Sequence, residues 1–340
     1  MATTRDRLPV TRRRFVQGAG VAGLGLLAGC GRWPGPAQKP DQIPRLGWLQ
    51  GDVERPAEND AFQEGLREYG HVPGQTITIE TRSGGGNAAD RRAAAAALVR
   101  LPVDIIVVDG GIPNARAARE TTDTIPIVMA VGGDPVAAEL VASLAHPGGN
   151  VTGVTAISHQ LGAKRLELLV DAVPGVERVG VLWNVSNDTK VREWQETEAA
   201  ARSLGIQLQS LELHGPEDIE SALDAATRER PEALVVLHDG VTFAARTRIV
   251  DFAVRAHLPA MYEIREWTEA GGLMNYAPNR PGMARRAAYY VDRILKGTKP
   301  ADLPVEQPAT FDFVINLQTA QALGLTIPQH VLLQATDVIQ

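Results

Sequence analysis

The sequence predicts an α/β protein of two similar doubly wound lobes with parallel sheets. Three observations lead there. Short apolar runs alternate with helix-length segments from residue 45 to residue 276, the pattern of parallel strands joined by right-handed crossovers. The two halves echo each other. Ile105-Ile106-Val107-Val108-Asp109-Gly110 is matched by Val235-Val236-Leu237-His238-Asp239-Gly240, and Ile125-Pro126-Ile127-Val128 by Leu258-Pro259-Ala260-Met261. Finally, a tail of one helix and one strand–helix unit is the complement that two open sheets need, so three strands of chain should cross between the lobes as a hinge.

Residues 45–49 read as the first strand. Pro56 opens a helix with Phe62, Leu66 and Tyr69 on one face, and Gly70 closes it. Residues 76–80 alternate as a strand, and 87–101 form an alanine-rich helix stopped at Pro102. Residues 103–108 are continuously apolar, as a parallel strand buried on both faces should be. A helix over 114–121, a strand over 125–130, a helix over 135–144 and a strand over 150–154 complete the first half. The second half has helices over 162–172, 187–204, 216–228 and 241–256. Its strands are 178–183, 206–212, 234–237, 258–262 and 272–276. Along 187–204 the stepping residues are Val191, Trp194, Glu198, Ala201 and Leu204. The tail offers a helix over 281–295, a proline-rich stretch over 299–308, a strand over 311–315 and a short helix over 317–323. The expected lobes are 45–155 with 277–307, and 156–276 with 308–340.

The chain begins with a different kind of segment. Thr11-Arg12-Arg13-Arg14-Phe15-Val16 has the form of a twin-arginine export signal, and the glycine-rich apolar run behind it is too short and too weak for a stable membrane span. It ends in Leu27-Ala28-Gly29-Cys30, which resembles a bacterial lipobox. Residues 1–29 are therefore expected to be a signal peptide, Cys30 the lipidation site, and the Pro- and Gly-rich residues 30–44 a tether. Gly18-Ala19-Gly20-Val21-Ala22-Gly23 matches a dinucleotide fingerprint, but basic residues rather than a strand precede it, so it is rejected as one.

Composition narrows the function. The 340 residues are 44% hydrophobic, ample for a core, with no later run long enough to span a membrane. Net charge is −6, and −10 once residues 1–29, with five Arg and one Asp, are set aside. An acidic body argues against nucleic acid as partner. The export signal stands where a two-lobed transcriptional regulator would carry its helix-turn-helix. Cys30 is the only cysteine, so no disulfide forms within the chain. The seven His are scattered, and no metal-ligand spacing, nucleophile elbow or P-loop appears. No enzyme activity, metal or cofactor is expected.

Several stretches carry a family resemblance: Phe62-Gln63-Glu64-Gly65-Leu66-Arg67-Glu68, Ala130-Val131-Gly132-Gly133-Asp134-Pro135, and His146-Pro147-Gly148-Gly149-Asn150-Val151-Thr152-Gly153-Val154. Lys164-Arg165-Leu166-Glu167-Leu168-Leu169, Ile294-Leu295-Lys296-Gly297, Leu303-Pro304-Val305-Glu306-Gln307-Pro308 and Val314-Ile315-Asn316-Leu317-Gln318-Thr319-Ala320 continue it. From about residue 45 to the end, the chain resembles the substrate-binding proteins of a bacterial ABC importer family that includes tryptophan and aromatic amino-acid binders. The resemblance implies the type I periplasmic-binding-protein fold, with two Rossmann-like lobes hinged about a cleft. It implies an extracytoplasmic monomer, a small solute such as an amino acid or related compound, and a permease with its ATPase as partners. A ligand-sensing protein that docks onto a membrane receptor would share all but the last.

In open α/β sheets ligands sit beyond the carboxyl ends of the strands. That rule places Gln50, Gly51 and Asp52, then Asp109, Gly110 and Gly111, then Gly132, Gly133, Asp134 and Thr155 on the first wall of the cleft. Asn184, Asp239, Tyr262, Glu263, Asn275 and Tyr276 would face them. Each also has a structural reading. The glycine pairs suit turns, and Asp109, Asp134 and Asp239 suit helix caps. Glu263 suits an ammonium partner unless Arg265 neutralises it, and the two tyrosines suit stacking on a ligand or lining the hinge. Asp109-Gly110-Gly111 and Asn275-Tyr276-Ala277-Pro278 stand where many relatives carry Gly-Thr-Pro and Ser-Tyr-Gly-Pro, so the resemblance carries no particular ligand across.

Overall fold

The computed structural model describes residues 43–51, 55–85, 87–156 and 161–340. The signal, Cys30, most of the tether and Asp52 lie outside the described residues. Lobe 1 holds β1 (Arg45–Gln50), α1 (Pro56–Glu68), β2 (Thr78–Ser83), α2 (Ala88–Val99), β3 (Ile105–Val108), α3 (Ile112–Thr121), β4 (Ile127–Gly132) and β5 (Val151–Thr155). The strands form a parallel sheet in the order β2-β1-β3-β4-β5. Successive residues of these strands point to opposite faces, as the strand period requires. Trp48, Ile105 and Val107 pack under α1, while Leu49, Ile106 and Val108 pack under α2 and α3.

Lobe 2 follows with α4 (Gly162–Ala172), β6 (Arg178–Asn184), α5 (Asp188–Leu204), β7 (Gln207–Leu213), α6 (Ile219–Glu229) and β8 (Ala233–Val236). Next come α7 (Gly240–Ala244), α8 (Arg246–Arg255), β9 (Ala260–Tyr262), α9 (Arg265–Glu269) and β10 (Met274–Pro278). The chain then crosses back as α10 (Arg280–Leu295), whose Met283, Ala287, Tyr290 and Val291 join the lobe 1 core. It returns for β11 (Phe311–Asn316), α11 (Leu317–Ala322), α12 (Gln329–Leu332) and β12 (Asp337–Ile339). The lobe 2 sheet runs β12-β11-β10-β9-β8-β6-β7.

The expected two-lobed α/β architecture is present, with one departure from all-parallel pairing: β11 runs antiparallel to β10. The connectivity explains it. β10 leaves lobe 2 at the end of the sheet nearest lobe 1, and the chain comes back at that same end. Its next strand must therefore run the other way, with Phe311 paired to Pro278. The crossings support one another. Thr155 N–H donates to the Glu306 carbonyl at 2.9 Å, and Glu306 N–H donates to the Gly153 carbonyl at 3.0 Å.

Local expectations fail where packing overrides pattern. Residues 135–144 form a series of turns instead of a helix. Glu139 has φ 58°, a left-handed conformation that a right-handed helix does not allow. The helix expected over 241–256 breaks at Ala245 into α7 and α8. On α5 the buried residues are Lys190, Glu193, Thr197 and Ala201, and Leu204 is exposed. The helix is rotated from its apolar stripe because charged partners wait inside. The short α9, α12 and β12 had no periodic signal long enough to show them.

One close contact holds the tail helix to lobe 1. A Cβ on Gly65 of α1 would lie 2.7 Å from the Arg285 carbonyl and 3.0 Å from the Ala288 Cβ on α10. Helix propensity alone would make Gly65→Ala stabilising by up to about 1 kcal/mol. The overlap reverses the sign, and urea denaturation should show a loss of about 2 kcal/mol.

Candidate functional site

The carboxyl ends of β1, β3 and β4 face those of β6, β8 and β9. On the first wall the chain turns sharply after β3. Gly110 and Gly111 have φ of 94° and 77°, and a Cβ on Gly110 would stand 2.7 Å from Asn114 Nδ2 and 2.8 Å from the Gly51 Cα. Only glycine fits between these atoms. Buried Asn114 fastens the loop, its Nδ2 donating to the carbonyls of Gln50 at 2.8 Å and Asp109 at 2.6 Å. Asp109 accepts from Gly110 N–H at 2.7 Å and faces Arg280 at 3.7 Å. Arg280, at the start of α10, is clamped by both oxygens of Glu58 at 2.6 and 3.1 Å. Arg55 sits beside Glu58 at 3.6 Å and reaches Glu266 of lobe 2 at 2.7 Å.

Further along this wall, Asp134 caps the turn behind it by accepting from Val136 and Ala137 N–H at 3.1 and 3.0 Å. It also meets Arg192 of α5 at 3.7 Å, so ion pairs bridge the lobes at two places. Thr155 hydrogen-bonds the Gly133 carbonyl, which ties the end of β5 to the end of β4. Gly132 and Gly133 leave room for Val154 and Ile112.

On the second wall Asp239 closes a capping box. Its Oδ1 accepts from Val241 and Thr242 N–H, and Thr242 Oγ1 accepts from Asp239 N–H. Its other oxygen accepts from Asn184 Nδ2 at 2.6 Å. Beneath these loops lies a buried quartet of charges, Arg165 on α4, Lys190 and Glu193 on α5, and Glu263 after β9. Lys190 Nζ is 2.7 Å from Glu193 and 2.7 Å from Glu263. Arg165 pairs with Glu193, lies 3.7 Å from Glu263 and donates from Nε to the Tyr276 carbonyl at 2.8 Å. Glu263 also accepts from His238 N–H at 2.6 Å. Against the cost of burial, Lys190 and Arg165 hold the Glu263 carboxyl down to about 2. Burial and the neighbouring Glu263 charge push Glu193 up to about 7. Despite its own burial, Lys190 between two carboxylates is held above its ordinary value.

Two of the candidate residues turn away from the gap. Tyr262 is fully buried and stacks on Trp267 at 4.9 Å, inside the core against α9. Tyr276 stacks on Phe311 at 5.5 Å along the hinge. Asn275 is fully buried and accepts from Thr268 Oγ1 at 2.7 Å. Arg265 does not neutralise Glu263 and pairs with Glu269 and Asp337 instead. The residues missed in the sequence are Glu58, Arg280, His238 and the quartet's Arg165, Lys190 and Glu193. The Lys190-x-x-Glu193 spacing was a visible signal, since such a pair shares a helix face.

Two hollows open between the lobes. One of 460 Å³ lies between the start of α1 and α9, lined by Arg55, Glu58, Glu266, Asn275, Arg280 and Asp312 among others. Another of 590 Å³ lies between Arg91, Arg92 and Arg116 on one side and residues 186–189 on the other. Both are the size of small-molecule sites. Among the described residues no cluster of His, Cys, Asp or Glu is set to hold a metal ion.

The model of one family, the ABC transporter substrate binding proteins, matches residues 52–339. The chain belongs to that family. It is a family of solute-binding proteins, not of enzymes, and its members work outside the cytoplasm. Over 322 residues this member is 24% identical to a tyrosine-binding protein of Clostridioides difficile (strain R20291), covering 90% of each chain. It superposes with TM-score 0.78 and 28% identity on an ABC domain in complex with L-Trp from Streptococcus pneumonia, covering 88% of this chain and 100% of that one. A ligand-free, open substrate-binding protein from Clostridium difficile shares the fold at TM-score 0.72 and 23% identity, covering 88% and 99%. No helix among the described residues is long and apolar enough to cross a membrane.

The quartet makes a specific prediction. Taking one partner from a buried ion cluster leaves the others uncompensated, so Glu263→Gln should cost about 3 kcal/mol in urea denaturation at pH 7. Glu263 has a folded pKa below its unfolded one, so its contribution is complete above about pH 4.5 and lost toward pH 2. The gap between the wild type and the variant should narrow as pH falls from 5 toward 3.

Proposed function

We propose that this protein captures an amino acid between its lobes and passes it unchanged to an ABC importer. The observation that carries the reading is the pairing of opposite charges at the cleft, on a chain similar to an L-Trp-bound domain. Asp109 and Asp239 offer carboxylates from opposite walls to an α-ammonium group, and Arg280 and Arg55 offer guanidinium groups to an α-carboxylate. The solute docks on one wall, hinge closure across the three crossings buries it, and the closed form is what the permease and its ATPase accept. Gln50, Asp52, Gly110, Gly111, Gly132, Gly133, Asn184 and Asn275 serve that site by shaping the walls around these charges.

The protein acts as a monomer, exported by residues 1–29 and anchored only through lipid on Cys30, with residues 30–44 as the spacer. One acyl chain binds membranes weakly, whereas stable anchoring takes two signals or more, as a diacylglyceryl group supplies.

Two measurements test this reading. In a thermal-shift screen of the twenty standard amino acids at 100 times Kd, a true ligand should add about 2.7 kcal/mol of stability. Conversion of any of them to product would refute capture without chemistry. For the anchor, Cys30→Ser should move the protein from the membrane fraction to the soluble fraction, and continued attachment would refute the lipid.

A further inference from the structure

His238 follows β8 on the second wall, next to the cap Asp239, with its own N–H fixed to Glu263 at 2.6 Å. Its ring is held as well, by a longer bond. Trp267 Nε1 donates to His238 Nδ1 at 3.3 Å. An indole N–H is a donor only, so Nδ1 must carry the lone pair and the ring proton must be on Nε2. Phe243 stands edge-on to the imidazole at 5.1 Å, and Trp267 is itself fixed by its stack on Tyr262. Among the described residues, no group accepts from Nε2. A half-buried imidazole is therefore locked in one tautomer, with its single donor unpaired among those residues.

We propose that His238 is a further binding residue of the solute site, donating from Nε2 to a carboxylate oxygen of the bound amino acid. The inference rests on the proposed function in assuming that an amino acid enters the cleft. The donor itself selects the acceptor. The cations nearby are already paired, Arg55 with Glu58 and Glu266, Arg280 with Glu58 and Asp109, and Lys190 with Glu193 and Glu263. An ammonium group has no lone pair to accept from Nε2–H, whereas a carboxylate oxygen does. Burial, then Lys190, Arg55 and Arg280, outweigh the attraction of Glu263 and hold His238 down to about 4, from an ordinary value of 6.5. Protonation would also turn Nδ1–H against the Trp267 N–H. The donor thus stays neutral above about pH 4, where the solute carboxylate is charged, and binding should show no step near pH 6.5. The folded ring resists a proton that the unfolded chain takes up below pH 6.5, so His238 costs stability as pH falls from 6.5 to 4.

The test combines a measurement on the free protein with one on binding. In the full chain labelled with ¹⁵N-histidine, long-range ¹H–¹⁵N correlation should show the His238 ring as Nε2–H from pH 8 to pH 5, with the resonance assigned by its loss in His238→Gln. L-tryptophan and L-tyrosine serve as the first probes and the remaining standard amino acids as the rest. The amino acid that binds should shift the Nε2 proton. Calorimetry should then show His238→Leu weakened at least tenfold and His238→Gln, which keeps an amide donor near the Nε2 position, within about threefold of wild type. An Nδ1–H ring, a ring charged at pH 6.5, or His238→Leu binding as tightly as wild type would overturn the inference while leaving capture intact. Failure of every amino acid to bind the wild type would overturn the proposed function, and His238's carboxylate with it, even if the tautomer is as assigned.

Discussion

The architecture of the second wall depends on one buried carboxylate. Glu263 leaves the end of β9 and takes Lys190 from α5, Arg165 from α4 and the N–H of His238 after β8. Three elements and a cleft loop are thereby fixed to one pair of oxygens. Arg165 extends the hold to the Tyr276 carbonyl on β10, the strand that leads out of the lobe to the hinge. An apolar core of the same volume would be at least as stable, because buried ions forfeit their hydration. What ions add is direction. Each partner has one place where its hydrogen bonds are made, and a slipped helix would leave a charge uncompensated.

That rigidity matters to the proposed closure, in which the opposite wall swings onto the solute. Bridging ion pairs, Arg55 with Glu266 and Asp134 with Arg192, join the lobes without apolar packing. Exposed or half-exposed pairs of this kind contribute at most about 1 kcal/mol each, a strength that a hinge motion can make and break. The hinge itself is carried by strands that hydrogen-bond to one another, Thr155 to Glu306 and Phe311 opposite Pro278. A preorganised wall, a weakly latched partner and a paired hinge are the parts that a closing clamp requires.

Much of this was legible in the sequence, and the failures have physical causes. Alternation of apolar runs, the echo between residues 105–110 and 235–240, and the tail complement were enough for two α/β lobes. The loops after the strands were found because topology places them. Asp239 and Asp134 proved to be caps, a role their position before a helix or turn already suggested. For Tyr262 and Tyr276 the sequence offers either stacking on a ligand or lining the hinge; Tyr276 stacks on Phe311 along the hinge and Tyr262 on Trp267 in the core, partners that no local pattern reveals. The quartet was hidden for a related reason. Apolar periodicity assumes that the inward face is apolar, and α5 turns Lys190 and Glu193 inward because Arg165 and Glu263, distant in sequence, meet them there. The antiparallel β11 follows from where the chain re-enters lobe 2, which is a property of the whole path and of no segment.

In the proposed mechanism both walls act on one solute at the same time and leave it chemically intact. Hydrogen exchange of the full-length protein, with and without the amino acid that stabilises it most, tests this directly. Amides 109–114 of lobe 1 and 237–242 of lobe 2 should slow together, over one titration with one midpoint, while the amino acid is recovered unaltered. Protection confined to a single lobe, two separate midpoints, or a changed amino acid would contradict that mechanism.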